Sequence, residues 1–200
     1  MKEKLWAKEV TERIHSYLKS ISDKYAADVA QKLCYANEVL QYHGDNAECK
    51  ETKFETDILI YEWVNEEVWK PRVVIETKIG SVTTHDAITY SKKAQNHRFV
   101  HPYLRYGMFI GNMGKSGVPA RLLRHGEGFD FMISWEGYKS NKTEWEILCE
   151  IIESEINASQ TLEDVLFNNR SRDRKKYIAY HRPLVKKPNE ELGSDCSYPS

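Results

Sequence analysis

Apolar residues near the N-terminus recur every three or four positions, which is the spacing of one helix face. This stripe consists of Leu5, Trp6, Val10, Ile14, Leu18, Ile21 and Tyr25. A second stripe follows Ser22 and Asp23, whose side chains suit a helix N-terminus. It consists of Val29, Leu33, Ala36 and Leu40. The pattern therefore predicts two helices, followed by a polar loop from His43 to Lys53.

The middle of the chain changes to a pattern typical of β-strands. It predicts one strand from Phe54 to Glu62 and another from Arg72 to Gly80, joined by a polar turn. Successive side chains of a strand point to opposite faces, so we expect Glu76 and Lys78 to share a face. The opposite face is expected to enter the core through Val73, Ile75, Thr77 and Ile79.

Helices and strands alternate in the second half. A cap-like Thr83–Asp86 segment precedes a predicted helix over 87–98, and predicted strands follow at 105–111 and 129–135. A long helix is then striped by Trp145, Leu148, Ile151, Ile152 and Ile156. A helix between two strands favours a parallel crossover. The sequence thus predicts an α/β domain with a mixed central sheet of four to five strands and helices on both faces.

Length and composition suit one globular domain, because 200 residues can bury a core. We expect that domain to span 1–168, with a basic, partly flexible extension at 169–200. The four cysteines are far apart and form no C-x-x-C motif, so a zinc ribbon and a disulfide framework are not indicated. Reduced thiols favour a cytoplasmic protein. Since no segment is apolar enough to span a membrane, we expect no membrane partner.

The net charge of −1 hides an uneven distribution. From Ala87 to Gly126 the chain contains no Asp or Glu. The basic residues of this stretch are Lys92, Lys93, Arg98, Arg105, Lys115, Arg121 and Arg124. We expect them to form a basic face that contacts phosphates, although a merely solvated surface is the alternative. A second basic run lies in 170–187, and for that run both interpretations stay open.

Two carboxylates and a lysine are the candidate chemistry. If the two central strands pair, Asp57 and Glu76 meet at one end, with Lys78 beside them. Such a set can hold a hard cation and an activated water. Glu55 lies on the same predicted face as Asp57 and could share or take its role. A solvated ion pair is the alternative, but the apolar opposite face suggests a central strand, where unpaired charges are unfavourable.

An acidic residue at one strand end, followed by E-x-K on the paired strand, resembles the PD-(D/E)xK nuclease superfamily. The resemblance extends from the N-terminal helix to about Trp135, with Thr56 where many members have proline. It implies that Asp57, Glu76 and the Thr77 carbonyl bind Mg²⁺, for which Mn²⁺ could substitute. It also implies that Lys78 orients or deprotonates the attacking water. Some members use an additional helical glutamate. Glu38 is a candidate for that role, with an ordinary surface glutamate as the alternative.

The function implied by this resemblance is a type II restriction endonuclease that cuts DNA. Cleavage of both strands needs two active sites, so a homodimer is expected. The candidate DNA contacts are Lys92, Lys93, Arg98, Lys115, Arg121 and Arg124. The alternatives are a junction-resolving nuclease of the same fold and a non-catalytic nucleic-acid-binding module. A nucleotide-binding P-loop at Gly114–Ser116 is not supported, because Phe109 stands where its first glycine belongs and Pro119 where a helix should follow.

Overall fold

A computed structural model describes residues 1–168, residue 179 and residues 184–187. The described elements, in chain order, are α1 (Glu3–Ile21), β1 (Tyr25–Val29), β2 (Lys32–His43), β3 (Asn46–Glu55), β4 (Ile58–Trp63), β5 (Trp69–Ile79), α2 (Thr84–Val100), β6 (Arg105–Gly111), a 3₁₀ turn (Gly114–Ser116), α3 (Ala120–His125), β7 (Phe131–Ser134), α4 (Lys142–Glu163) and a π-helical turn (Asp164–Asn168). No helix within the described ranges combines the length and the apolar character needed to cross a bilayer.

The central sheet has five strands in the order β1-β4-β5-β6-β7. β1, β4 and β5 are antiparallel, whereas β5, β6 and β7 are parallel. The parallel crossover from β5 through α2 to β6 confirms the one predicted from the sequence. Helix α2 begins with a reciprocal capping box, in which Thr83 and Asp86 bond each other's backbone N–H groups. The mixed sheet and its flanking helices confirm the predicted fold class.

Helices cover both faces of this sheet. On one face α1 and α4 pack over the strands, and buried residues such as Trp6, Ile14 and Ile152 meet Ile75 there. On the other face α2 and α3 contribute small or single apolar residues, including Ala87, Ala94 and Leu122. Because β5 lies in the middle of the sheet with both neighbours paired, its side chains are buried from Pro71 to Thr77. A charge on this strand is therefore held in an environment that water hardly reaches.

The predicted second helix and the polar loop after it are wrong. Residues 25–29 form β1, and residues 32–43 and 46–55 form the antiparallel hairpin β2–β3, a separate two-stranded sheet here called the ribbon. The helical spacing of the stripe was fortuitous, since Leu33 is buried but Leu40 is 58% exposed. Strand β1 is stabilised by pairing with β4, a contact across the chain that local periodicity does not reveal.

The predicted strand from Phe54 to Glu62 is in fact divided between two sheets. Glu55 ends β3, and Ile58 begins β4. Between them, the backbone N–H and the hydroxyl of Thr56 both donate to the carbonyl oxygen of Gln31, at 2.9 and 3.0 Å. These two hydrogen bonds to one carbonyl oxygen close the base of the ribbon. It also fixes the backbone immediately before Asp57.

Candidate active site

The first candidate carboxylate, Asp57, lies where β4 begins. Ile58 pairs with Ile75, so Asp57 and Glu76 come next at the same end of the two strands. Oδ2 of Asp57 accepts hydrogen bonds from the backbone N–H and the hydroxyl of Thr77, at 2.8 and 3.0 Å. These two bonds anchor the carboxylate against β5, one residue beyond Glu76.

The second candidate, Glu76, is buried in the middle of the sheet. Its side chain is 1% exposed. Oε1 accepts a hydrogen bond from Nζ of Lys93 at 2.7 Å and another from the Tyr106 hydroxyl. Burial raises the pKa of Glu76, and the negative charge of Asp57 adds to the rise, while Lys93 and Tyr106 oppose it. The protein thus holds a carboxylate where its ionised form is unfavourable.

The candidate lysine, Lys78, is partly buried at the C-terminal end of β5. Its Nζ lies 3.6 Å from a carboxylate oxygen of Glu3, 3.9 Å from one of Asp86, and 5.1 Å from the ring centroid of Tyr90. Burial alone would lower the pKa of Lys78. The Tyr90 hydroxyl, Glu3 and Asp86 outweigh burial, so the pKa is raised. Lys78 is therefore held as an ammonium ion.

Helix α2 contributes a row of polar residues to the site. Asp86, Tyr90 and Lys93 are spaced i, i+4 and i+7, so they lie on one helix face. Lys93 was predicted on the outer basic face together with Lys92. The structure corrects this, because neighbouring residues on a helix point about 100° apart. Lys92 is exposed, whereas the Lys93 side chain is 16% exposed and is directed at Glu76.

Sequence reasoning missed four residues around the site: Glu3, Asp86, Tyr90 and Tyr106. Glu3 opens α1 and reaches Lys78 across the domain, a contact that local patterns do not indicate. Tyr106 lies on β6, directly beside β5, and alternation along that strand does not show which way its hydroxyl points. The 86–90–93 row on α2 was the one available signal, because polar residues at helical spacing mark a face with polar neighbours.

Two further glutamates proposed for the site lie elsewhere. Glu38 was expected on a helix, but it is exposed on β2 and pairs with Lys50 across the ribbon. The Glu55 side chain is about half exposed and lies 3.9 Å from Lys4. Glu55 contributes only its backbone to the site, because its carbonyl oxygen accepts a hydrogen bond from Nζ of Lys93 at 2.8 Å. Asp57, rather than Glu55, is the carboxylate anchored beside Glu76.

The acid-free stretch does not form one continuous basic face. Arg98 pairs with Asp130 at 2.9 Å, and buried Arg105 pairs with Asp130 and Glu155, each at 2.6 Å. The acidic partners are Asp130, directly before β7, and Glu155 on α4. Because they lie outside the 87–126 stretch, counting charges within that stretch does not reveal them. The residues that stay exposed are Lys92, Lys115, Arg121 and Arg124. Most of the basic run at 170–187 lies outside the described residues.

The donor set at this end of the sheet suits a hard cation. Across residues 1–168, 179 and 184–187, no group of three or more His, Cys, Asp and Glu is arranged to hold a metal. Mg²⁺, however, is commonly bound by one or two carboxylates completed by water and substrate phosphate. Asp57 and Glu76 supply two carboxylates, and the Lys93 ammonium already lies between Glu76 and the Glu55 carbonyl. A position that accommodates one cation among oxygen atoms fits the metal that the resemblance implies.

No protein-family model and no curated protein sequence matches this chain. The candidate site therefore rests on its own geometry and on the residues that form it.

Proposed function

We propose that this protein is a metal-dependent endonuclease that hydrolyses phosphodiester bonds in DNA. The observation that supports the proposal best is the position of Asp57 and Glu76. They share one end of the β4–β5 pair, and Lys78 follows two residues later on the same strand. A folded protein has little reason to bury a glutamate beside an aspartate unless a cation or a reaction uses them.

The protein's own residues have separable roles in this proposal. Asp57 and Glu76, together with the Thr77 carbonyl, would hold Mg²⁺, which when bound would supply charge stabilisation at the phosphate and lower the pKa of a water. Thr77 fixes the Asp57 carboxylate through two hydrogen bonds. Lys78 follows Glu76 by two residues on β5 and would orient or deprotonate the attacking water, as the resemblance implies. Lys92, Lys115, Arg121 and Arg124 are the exposed cations proposed for phosphate contacts.

Among nucleases of this kind, we favour a type II restriction enzyme that acts as a homodimer. A junction-resolving nuclease would use the same carboxylates and differ in its DNA-binding loops. A non-catalytic binding module is less well supported, because both carboxylates and the E-x-K lysine are present.

The first test is cleavage of plasmid and phage DNA with Mg²⁺, with Mn²⁺ and with EDTA. Asp57→Asn and Glu76→Gln should each reduce cleavage by about a thousandfold or more, because each removes a charged metal ligand. Lys78→Met should lose cleavage but retain DNA binding in Ca²⁺, because its role is in the chemical step. Glu38→Gln is the matched control, an exposed glutamate on the ribbon that should leave cleavage unchanged.

The outcomes separate the candidate functions. Discrete fragments from linear DNA indicate a restriction enzyme, and symmetric nicking of a four-way junction indicates a resolving enzyme. DNA binding with no metal-dependent cleavage of either substrate indicates a binding module and rejects the proposal. Wild-type cleavage by Asp57→Asn or Glu76→Gln would show that the assigned ligands are wrong.

A further inference from the structure

The Lys93 side chain occupies an unusual position for a lysine in a proposed metal site. Its Nζ donates to Oε1 of Glu76 at 2.7 Å and to the carbonyl oxygen of Glu55 at 2.8 Å. The rings of Phe54 and Tyr90 flank it, with centroids 6.0 and 5.9 Å from Nζ. The ammonium ion thus has two oxygen ligands and two aromatic neighbours, and only a small part of its side chain meets solvent.

These contacts place a positive charge where the proposed function needs a divalent cation. Two cations cannot share one buried carboxylate oxygen without strong repulsion, because Coulomb energies grow where water is excluded. The Lys93 ammonium group is carried by a long, flexible side chain on α2, so it can leave Glu76 without any change in the sheet. The second lysine of the site does not share this contact, because Nζ of Lys78 lies beside Glu3 and Asp86.

We propose that Lys93 is a resident counter-ion of Glu76, which a divalent metal must displace in order to bind. This inference rests on the proposed function, since it assumes that Glu76 is a metal ligand. Lys93 compensates the buried carboxylate while the metal is absent, and it sets a low affinity for metal in the protein without DNA. It is a positioning residue, because it acts through Glu76.

The experiment measures binding of Mn²⁺ alone, by electron paramagnetic resonance of the free ion, with no DNA present. Lys93→Met removes the competing charge, so Mn²⁺ affinity should rise by about tenfold or more. Lys93→Arg keeps the charge and should bind Mn²⁺ about as weakly as the wild type. Lys142→Met is the control, a lysine on α4 whose side chain is 88% exposed and whose loss should leave Mn²⁺ affinity unchanged. The double variant Glu76→Gln/Lys93→Met should not show this increase in Mn²⁺ affinity.

Removing Lys93 leaves Glu76 without its partner, so Lys93→Met could fold poorly in the absence of metal. Lys93→Gln is the second variant, since its amide can still donate to Glu76 without carrying charge. For both variants, saturating Mn²⁺ should raise the Tm by more than it raises that of the wild type, because tighter binding to the folded state stabilises it more.

Three results would overturn the inference. Equal Mn²⁺ affinity in Lys93→Met, Lys93→Gln and the wild type, with binding lost in Glu76→Gln, would keep the metal site and reject competition by Lys93. A gain that persists in the double variant would place the new binding away from Glu76. Binding in no variant, or binding that does not depend on Glu76, would reject both this inference and the metal ligands of the proposed function.

Discussion

The paired strands β4 and β5 have a charged cluster at each end, and the two clusters are built differently. At the end away from the candidate site, Arg72 pairs with Glu62 at 2.8 Å and with Glu163 at 2.7 Å, and Lys24 and Lys70 complete the Arg72 cluster. At the other end, Glu76 is compensated by one lysine, and the nearby Asp57 opposes it. The first arrangement satisfies its charges, whereas the second leaves an excess of negative charge.

The pKa values of the carboxyl groups follow this difference. Burial raises the pKa of Glu62 and of Glu163, but hydrogen bonds and positive charges from their partners outweigh burial, so both pKa values are lowered. For Glu76 burial prevails, and its pKa is raised. The surroundings of the Arg72 cluster therefore favour ionised carboxylates, whereas those of the candidate site oppose ionisation of Glu76. The contrast distinguishes the two ends of this strand pair, and the raised pKa of Glu76 makes its end the candidate for function.

Breaking the Arg72 cluster should have the largest effect on stability. Arg72→Met leaves the carboxylates of Glu62 and Glu163 without their shared guanidinium, and Arg72 is 4% exposed. We expect the free energy of unfolding to fall by about 3–5 kcal/mol, measured by urea denaturation at pH 7. Lys24→Met is the control, since that side chain is 44% exposed and should contribute less than about 1 kcal/mol. A small effect of Arg72→Met would show that the cluster does not hold the sheet.

Changing pH should give opposite results for the two ends. Glu62→Gln should lose roughly 2 kcal/mol at pH 7. This loss should disappear as the pH falls through the lowered pKa of Glu62, because the wild-type group is then neutral as well. For Glu76→Gln, the free energy of unfolding should instead increase relative to that of the wild type as the pH rises through the raised pKa of Glu76, because ionisation of Glu76 disfavours the folded state. Urea denaturation between pH 3 and 8 measures the stability difference between each variant and the wild type. If this difference changed with pH in the same direction for both variants, the comparison would be contradicted.

The Tyr106 hydroxyl offers a finer test of the site end. Tyr106→Phe removes one of the donors to Glu76 and should lower the free energy of unfolding by about 1 kcal/mol at pH 7. In the Glu76→Gln background the same change should matter less, because a neutral amide needs less compensation than a carboxylate. A double-mutant cycle in urea measures the coupling. Purely additive effects would mean that the hydroxyl does not compensate the charge.

The smallest expected effect concerns DNA binding near the site end. Lys92→Ala should weaken binding and flatten the dependence of log affinity on log salt by roughly one unit, as for the loss of one phosphate contact. Lys24→Ala, at the opposite end of the strand pair, should leave that slope unchanged. Gel-shift titrations in Ca²⁺ across several salt concentrations measure both. Equal slopes in the two variants would remove the outer face of α2 from the DNA surface.

Local patterns in the sequence predicted the centre of this protein better than its periphery. Strand alternation and the adjacency of β4 and β5 were enough to bring Asp57 and Glu76 together. The Lys78 side chain was predicted beside them, but it is directed at Glu3 and Asp86. The same reasoning failed for 25–55, because helical and strand periods cannot be distinguished where few residues are buried. It also failed for Arg98 and Arg105, whose partners Asp130 and Glu155 come from distant segments. Contacts between remote parts of the chain decide which charges remain available for function.

The ribbon has a consequence for the timescales of motion in this molecule. Its outer part, residues 37–51, is exposed on both faces, and isolated two-stranded hairpins are marginally stable in water. Amide protons there should exchange with solvent through local opening, many orders of magnitude faster than those of β5. The ribbon ends at Glu55, and the next residue, Thr56, closes its base with two hydrogen bonds to Gln31, one residue before Asp57. Fast opening should therefore stop at that base, and the amide of Thr56 should mark the boundary between the two exchange regimes.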